Sequence, residues 1–72
     1  MAFECAGKDS WPELLGTQGH VAAATIEREN PLVTAEIVLE GTIVPINIVP
    51  VCTRVRVWVD NSGTVTRVPT IG

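Results

Sequence analysis

The sequence predicts one helix laid on one face of a small mixed β-sheet. Its 72 residues leave room for a single domain, residues 1–72, with one core. One run of good helix formers, with three consecutive alanines, spans Gly19 to Asn30. Two later stretches, Thr34 to Glu40 and Arg54 to Asp60, alternate along the chain with a period of two. A helix stripe and two strand stripes of this length are buried most simply as two layers.

Taken in order, Met1 to Gly16 reads as an irregular arm with a short helical turn at Ser10-Trp11-Pro12-Glu13, Pro standing at its first position. Trp11, Leu14 and Leu15 then pin the arm to the core. Gly16 to His20 is a loop. In the helix that follows, Val21, Ala22, Thr25 and Ile26 share a face, and Glu27, Arg28 and Glu29 form a solvated end. Asn30-Pro31 ends the helix, because the residue before proline is pushed out of the helical region. The first strand places Ala35, Ile37 and Leu39 on one face and Glu36, Val38 and Glu40 on the other, giving one wet side. The second sends Val55, Val57 and Val59 inward, with Arg54, Arg56, Trp58 and Asp60 opposite. Asp60-Asn61-Ser62-Gly63 is a turn, and Thr64 to Val68 is expected to return as a short antiparallel strand.

Composition narrows the function. Five Lys+Arg against eight Asp+Glu give a net charge of −3, so the chain carries no electrostatic footprint for nucleic acid or anionic lipid. Hydrophobic residues make up 46% and charged residues 18%, enough apolar material to fold. The uncharged run Gly41 to Thr53 is too short for a membrane span and is broken by Pro45 and Pro50. Met1 to Ser10 lacks the apolar core of a secretory signal, which leaves a removed signal or none. His20 is the only histidine and has no Ser, Cys or carboxylate placed beside it by spacing; it reads as a surface residue, and no enzyme, metal or cofactor site is expected. Trp11 and Trp58 read as packing residues. Chains this short usually need a staple, and Cys5 and Cys52 supply one candidate.

The segment from Gly41 to Thr53 does not fit a core. Prolines 45 and 50 delete two ladder donors, which confines a strand there to an edge or a bulge. The other reading is a long, exposed, extended loop whose prolines fix φ before a partner arrives. Such a peptide is what a protease cleft accepts.

Five stretches then carry a family resemblance. They are Cys5-Ala-Gly-Lys-Asp-Ser-Trp-Pro-Glu-Leu-Leu-Gly16, Ile26-Glu-Arg-Glu-Asn-Pro31, Glu40-Gly-Thr42, Arg54-Val-Arg56 and Val68-Pro-Thr-Ile-Gly72. In order and spacing they resemble the potato inhibitor I family of serine protease inhibitors, over nearly the whole chain. The resemblance implies an α+β fold with the helix on a mixed sheet and a long exposed protease-binding loop joining two parallel strands. It also implies inhibition by substrate-like insertion of residues 42–53 into the protease active site, and a role in plant defence and the response to wounding. No cofactor is implied, and a monomer is expected.

The same resemblance implies the site residues. The reactive-site loop comprises Val44, Pro45, Ile46, Asn47, Ile48 and Val49, with Ile46 as P1, the residue before the scissile bond, and Asn47 as P1′. Arg54 and Arg56 correspond to the family's two supporting arginines, whose guanidinium groups hold loop residues from beneath; the plain alternative is a pair of solvated strand charges. A Cys5 to Cys52 bridge would tie the arm to the base of the loop, and two reduced thiols are the alternative. Localisation is extracellular or vacuolar if that bridge forms, and cytoplasmic otherwise.

The chain also departs from its family. Gly41 to Arg54 is two residues longer than the family stretch, Pro45 replaces the usual Thr at P2 and Asn47 the usual acid at P1′. Counting from Gly41 makes Ile46 the P1 residue; counting back from Cys52 makes it Ile48. Isoleucine offers no cation to a trypsin pocket, so subtilisin-like or elastase/chymotrypsin-like enzymes are the expected targets. The competing expectation is a scaffold that no longer inhibits, its apolar loop serving self-association or another partner.

Overall fold

The structure is a computed structural model that describes residues 5–44 and 51–72. A 3₁₀ turn at Pro12–Leu14 precedes helix α1, Gly19–Glu29. Strands β1, Thr34–Leu39, β2, Arg54–Val59, and β3, Thr70–Ile71, follow and form one sheet in the order β1-β2-β3. β1 and β2 run parallel, with Thr34 opposite Arg54 and Leu39 opposite Val59. β2 and β3 run antiparallel, Val55 facing Ile71 and Arg56 facing Thr70.

Helix α1 starts at the expected residue and stops where Asn30 takes an extended backbone before Pro31, its N–H still donating to the Ile26 carbonyl at 2.9 Å. Its buried face is Gly19, Ala22 and Ile26; Val21, expected on that face, is half exposed. The helix packs on the sheet face built by Ala35, Val55, Val57, Val59 and Ile71. Trp11, Leu14, Val33 and Val65 complete this core, so the arm is pinned by Trp11 and Leu14, while Leu15 points to solvent. Valine at alternate positions of a central strand suits this place, since its branched Cβ packs well on a pleated surface.

The arm is more ordered than an irregular segment. Ser10 bridges Thr70, the Trp11 N–H donates to the Pro69 carbonyl at 2.9 Å, and Ile71 donates to the Asp9 carbonyl at 3.0 Å. Two further corrections concern the sheet. The supposedly wet side of β1 carries the strand's one buried residue, Val38, beside Trp58, and Ile37 and Leu39 on the helix side are about half exposed. A single helix covers only part of its sheet face, whereas on the other face Glu36 is exposed and Val38 is buried.

Thr64 to Val68, in turn, makes isolated bridges and no strand. Its hydrogen bonds are divided: Thr66 donates to Trp58 in β2, while Val65 exchanges bonds with Gly16 and Thr17. Pro69 has no N–H to continue a ladder, and regular pairing resumes only at Thr70.

Candidate functional site

Two parallel neighbouring strands cannot be joined by a tight turn, so the chain leaving β1 must travel the length of the sheet to enter β2. That crossover is the segment read as the loop. At its entry, Glu40 donates its N–H to the Val59 carbonyl at 2.7 Å, and Gly41 turns with φ +91°, a left-handed conformation suited to glycine. Thr42 N–H then donates to the Leu39 carbonyl at 3.1 Å. Ile43 is 96% exposed. Val44 is half-buried. Pro45, Ile46, Asn47, Ile48 and Val49 lie outside the described residues.

At the exit, Cys52 is bonded to Cys5, with Cα atoms 5.2 Å apart, and so fixes the base of the segment to the arm. Thr34 N–H donates to the Thr53 carbonyl at 2.8 Å, and Arg54 N–H to the Val51 carbonyl at 3.2 Å. Arg54 and Arg56 share the sheet face opposite the helix with Val38 and Trp58. Arg54 Nε donates to the Gly72 carbonyl at 3.0 Å, anchoring its guanidinium to the chain end. Arg54 Nη2 and Arg56 Nε are buried and have no acceptor among the described residues. Neither arginine is a freely solvated strand charge; both are half-buried. Beside them a cleft of about 220 Å³ is lined by Arg56, Trp58, Arg67, Val68, Thr70 and Gly72.

A second group, which the sequence did not announce, braces the entry. Arg67 grips Glu40 with both ends of its fork, Nε to Oε2 at 2.8 Å and Nη2 to Oε1 at 2.9 Å. Its guanidinium carbon lies 4.3 Å from the centre of the Trp58 ring, and the Thr66 hydroxyl donates to the same carboxylate. Arg67, then Thr66, hold the Glu40 carboxyl below its ordinary range. Trp58 is thus a half-buried platform on the sheet's outer face and no part of the core. Glu40 stands in a quoted motif, but its partner lies 27 residues on, and no local periodicity links the two.

His20 is exposed in the first turn of α1. Among the described residues no group of three His, Cys, Asp or Glu side chains could hold a metal ion. What the site offers is an apolar segment joining two parallel strands, tied covalently at one end and gripped by a fork at the other.

A family model for the Potato inhibitor I family matches residues 4–72. A Glu S.griseus protease inhibitor from Momordica charantia is 52% identical over 69 residues, covering 96% of this chain and 98% of its own. An inhibitor of trypsin and hageman factor from Cucurbita maxima is 52% identical over 68 residues, 94% of this chain and 97% of its own. The crystal structure of bitter gourd trypsin inhibitor, 50% identical, matches with a TM-score of 0.90 over 97% of this chain and 100% of that one. Matched by the family model over residues 4–72 and about half identical to inhibitors over almost its whole length, the chain belongs to the potato inhibitor I family and is a protease inhibitor, not an enzyme.

Proposed function

We propose that the chain inhibits serine proteases by offering residues 42–53 as a substrate, with Ile46 as P1 and Asn47 as P1′; if the loop aligns from Cys52 instead, Ile48 is P1. Support comes above all from one observation: the segment's two ends are fixed to adjacent parallel strands of one rigid core, the exit through the Cys5–Cys52 bond. A preordered loop loses little entropy on docking. Once the enzyme's serine has attacked, the new amine stays beside the acyl-enzyme at high effective concentration, and religation outruns hydrolysis. Arg54 and Arg56 stiffen the loop from beneath.

The proposed targets are subtilisin-like or elastase/chymotrypsin-like enzymes rather than trypsin. An isoleucine leaves the buried acid of a trypsin pocket unpaired, and its branched Cβ fits shallow apolar pockets better than deep narrow ones. The proposed setting is extracellular or vacuolar, where a disulfide persists, in a plant's defence against wounding. Inhibition constants measured side by side for subtilisin, elastase, chymotrypsin and trypsin test the target class. Subtilisin or elastase bound at least about 100-fold tighter than trypsin is the expected result; trypsin bound as tightly as either overturns it.

A further inference from the structure

A substrate-like inhibitor must keep both sides of its scissile bond on one rigid body. In this chain the two sides are held by different means. The exit side has a covalent tie, Cys52 to Cys5, and leads straight into the central strand β2. The entry side leaves from β1, an outer strand of the sheet, and has no covalent tie. Between Leu39 and Val44 the described chain is fixed by two backbone bonds, Glu40 N–H to Val59 and Thr42 N–H to Leu39, and by one side chain, the Glu40 carboxylate, held in the Arg67 fork and by the Thr66 hydroxyl.

We propose that Arg67 and Glu40 form a positioning clamp that sets how slowly the reactive bond is hydrolysed. Arg67 is itself positioned twice. Its guanidinium stacks on Trp58, which stands in β2 two residues beyond Arg56, and its backbone follows Thr66, whose N–H donates to the Trp58 carbonyl at 2.9 Å. The clamp therefore joins the entry of the loop to the same strand that carries Arg54 and Arg56 at its exit. A parallel fork between arginine and carboxylate fixes direction as well as distance, which a lysine cannot do. When the clamp is released the acyl side of the loop can swing away from the amine that must re-attack it, and effective concentration falls steeply with such displacement. The inference rests on the inhibitory mechanism proposed above, and one of its readouts does not.

The test uses the intact, oxidised protein and the variants Arg67→Lys, Glu40→Gln and the double variant. The first readout needs no protease: hydrogen exchange at the Thr42 amide, compared with Val57 in the core. Faster exchange at Thr42 in both single variants, with Val57 unchanged, is expected; wild-type exchange at Thr42 overturns the clamp whatever any protease does. The second readout is the rate at which subtilisin hydrolyses the loop in the stoichiometric complex. Each single variant should raise it about tenfold, with the double variant no worse than either single one, as for two halves of one interaction. Additive effects, or unchanged hydrolysis beside a loosened Thr42, overturn the proposed role. A wild-type protein degraded as an ordinary substrate refutes the inhibitory mechanism instead, and the exchange result then still decides the clamp.

Discussion

Asn30 is the buried polar side chain on which the amino-terminal arm depends. It is 2% exposed, and each of its polar atoms has work: Nδ2 donates to the carbonyls of Ala6 at 3.1 Å and Lys8 at 3.0 Å, and Oδ1 accepts from the Leu32 N–H at 3.1 Å. Gly7 crosses directly over it with φ +81°, and a Cβ there would stand 2.8 Å from Nδ2. Because the disulfide leaves from this arm at Cys5, Asn30 also acts on the base of the loop. Asn30→Ala leaves buried polar groups without partners and should cost about 2 kcal/mol, read from the urea midpoint at constant slope. A shift within the scatter of surface substitutions would show that water replaces the amide freely. At the proposed P1 position, Ile46→Lys should raise trypsin affinity at least about 100-fold by giving the pocket its cation. Unchanged trypsin affinity, with the gain appearing in Ile48→Lys, would move P1 by two residues.

Among the elements, those whose hydrogen bonds are local were legible in the sequence and those fixed by distant partners were not. Helix α1 and its end at Asn30-Pro31, the 3₁₀ turn at Pro12 and the inward valines of β2 follow from spacing and backbone chemistry. Val38 does not, since which face of β1 is covered depends on residues far along the chain. Thr64 to Val68 alternates like a strand, yet its donors and acceptors are shared with Gly16 and Thr17, about 50 residues earlier. At the site, the Cys5–Cys52 bond was anticipated from the resemblance and the outward face of Arg54 and Arg56 from the alternation of β2, whereas the fork between Glu40 and Arg67 needed coordinates.

Carboxylates with hydrogen-bonding partners also make the stability of these elements respond to acid. Arg67 lowers the Glu40 carboxyl, Lys8 lowers Glu13 and Glu29, and the Ser62 hydroxyl, then the Thr64 N–H, lower Asp60 in its turn. Depressed carboxyl pKa values mean that the unfolded chain binds more protons, so the stability they contribute is complete above their ordinary range and is lost as the pH falls below about 4.5. The urea midpoint should therefore drop between about pH 5 and pH 3, and drop less in Glu40→Gln. An identical slope in that variant would exclude the Glu40 pair as a contributor.

For the whole molecule, the geometry serves a protein too small to hold a long exposed loop by packing alone. One core of nine buried side chains among the described residues sits between α1 and the sheet. What core packing cannot supply at the ends of the β1–β2 connection comes from a covalent bond at one and a charged fork at the other. The disulfide joins positions 47 residues apart, and in the chain-entropy model closing a loop of that length contributes about 4 kcal/mol. The double variant Cys5→Ala/Cys52→Ala should lose about that much by urea unfolding and should be cut by subtilisin faster than the parent. Equal stability would place the constraint elsewhere.

The central claim is that the segment between β1 and β2 is a substrate the protease cannot finish. Titrating subtilisin with the oxidised protein, and weighing the inhibitor after long incubation, tests it most directly. Stoichiometric loss of activity, with the chain intact or nicked once after Ile46 or Ile48 and its halves still joined by Cys5–Cys52, is the predicted result. Undiminished activity, or fragmentation at several bonds, would contradict it.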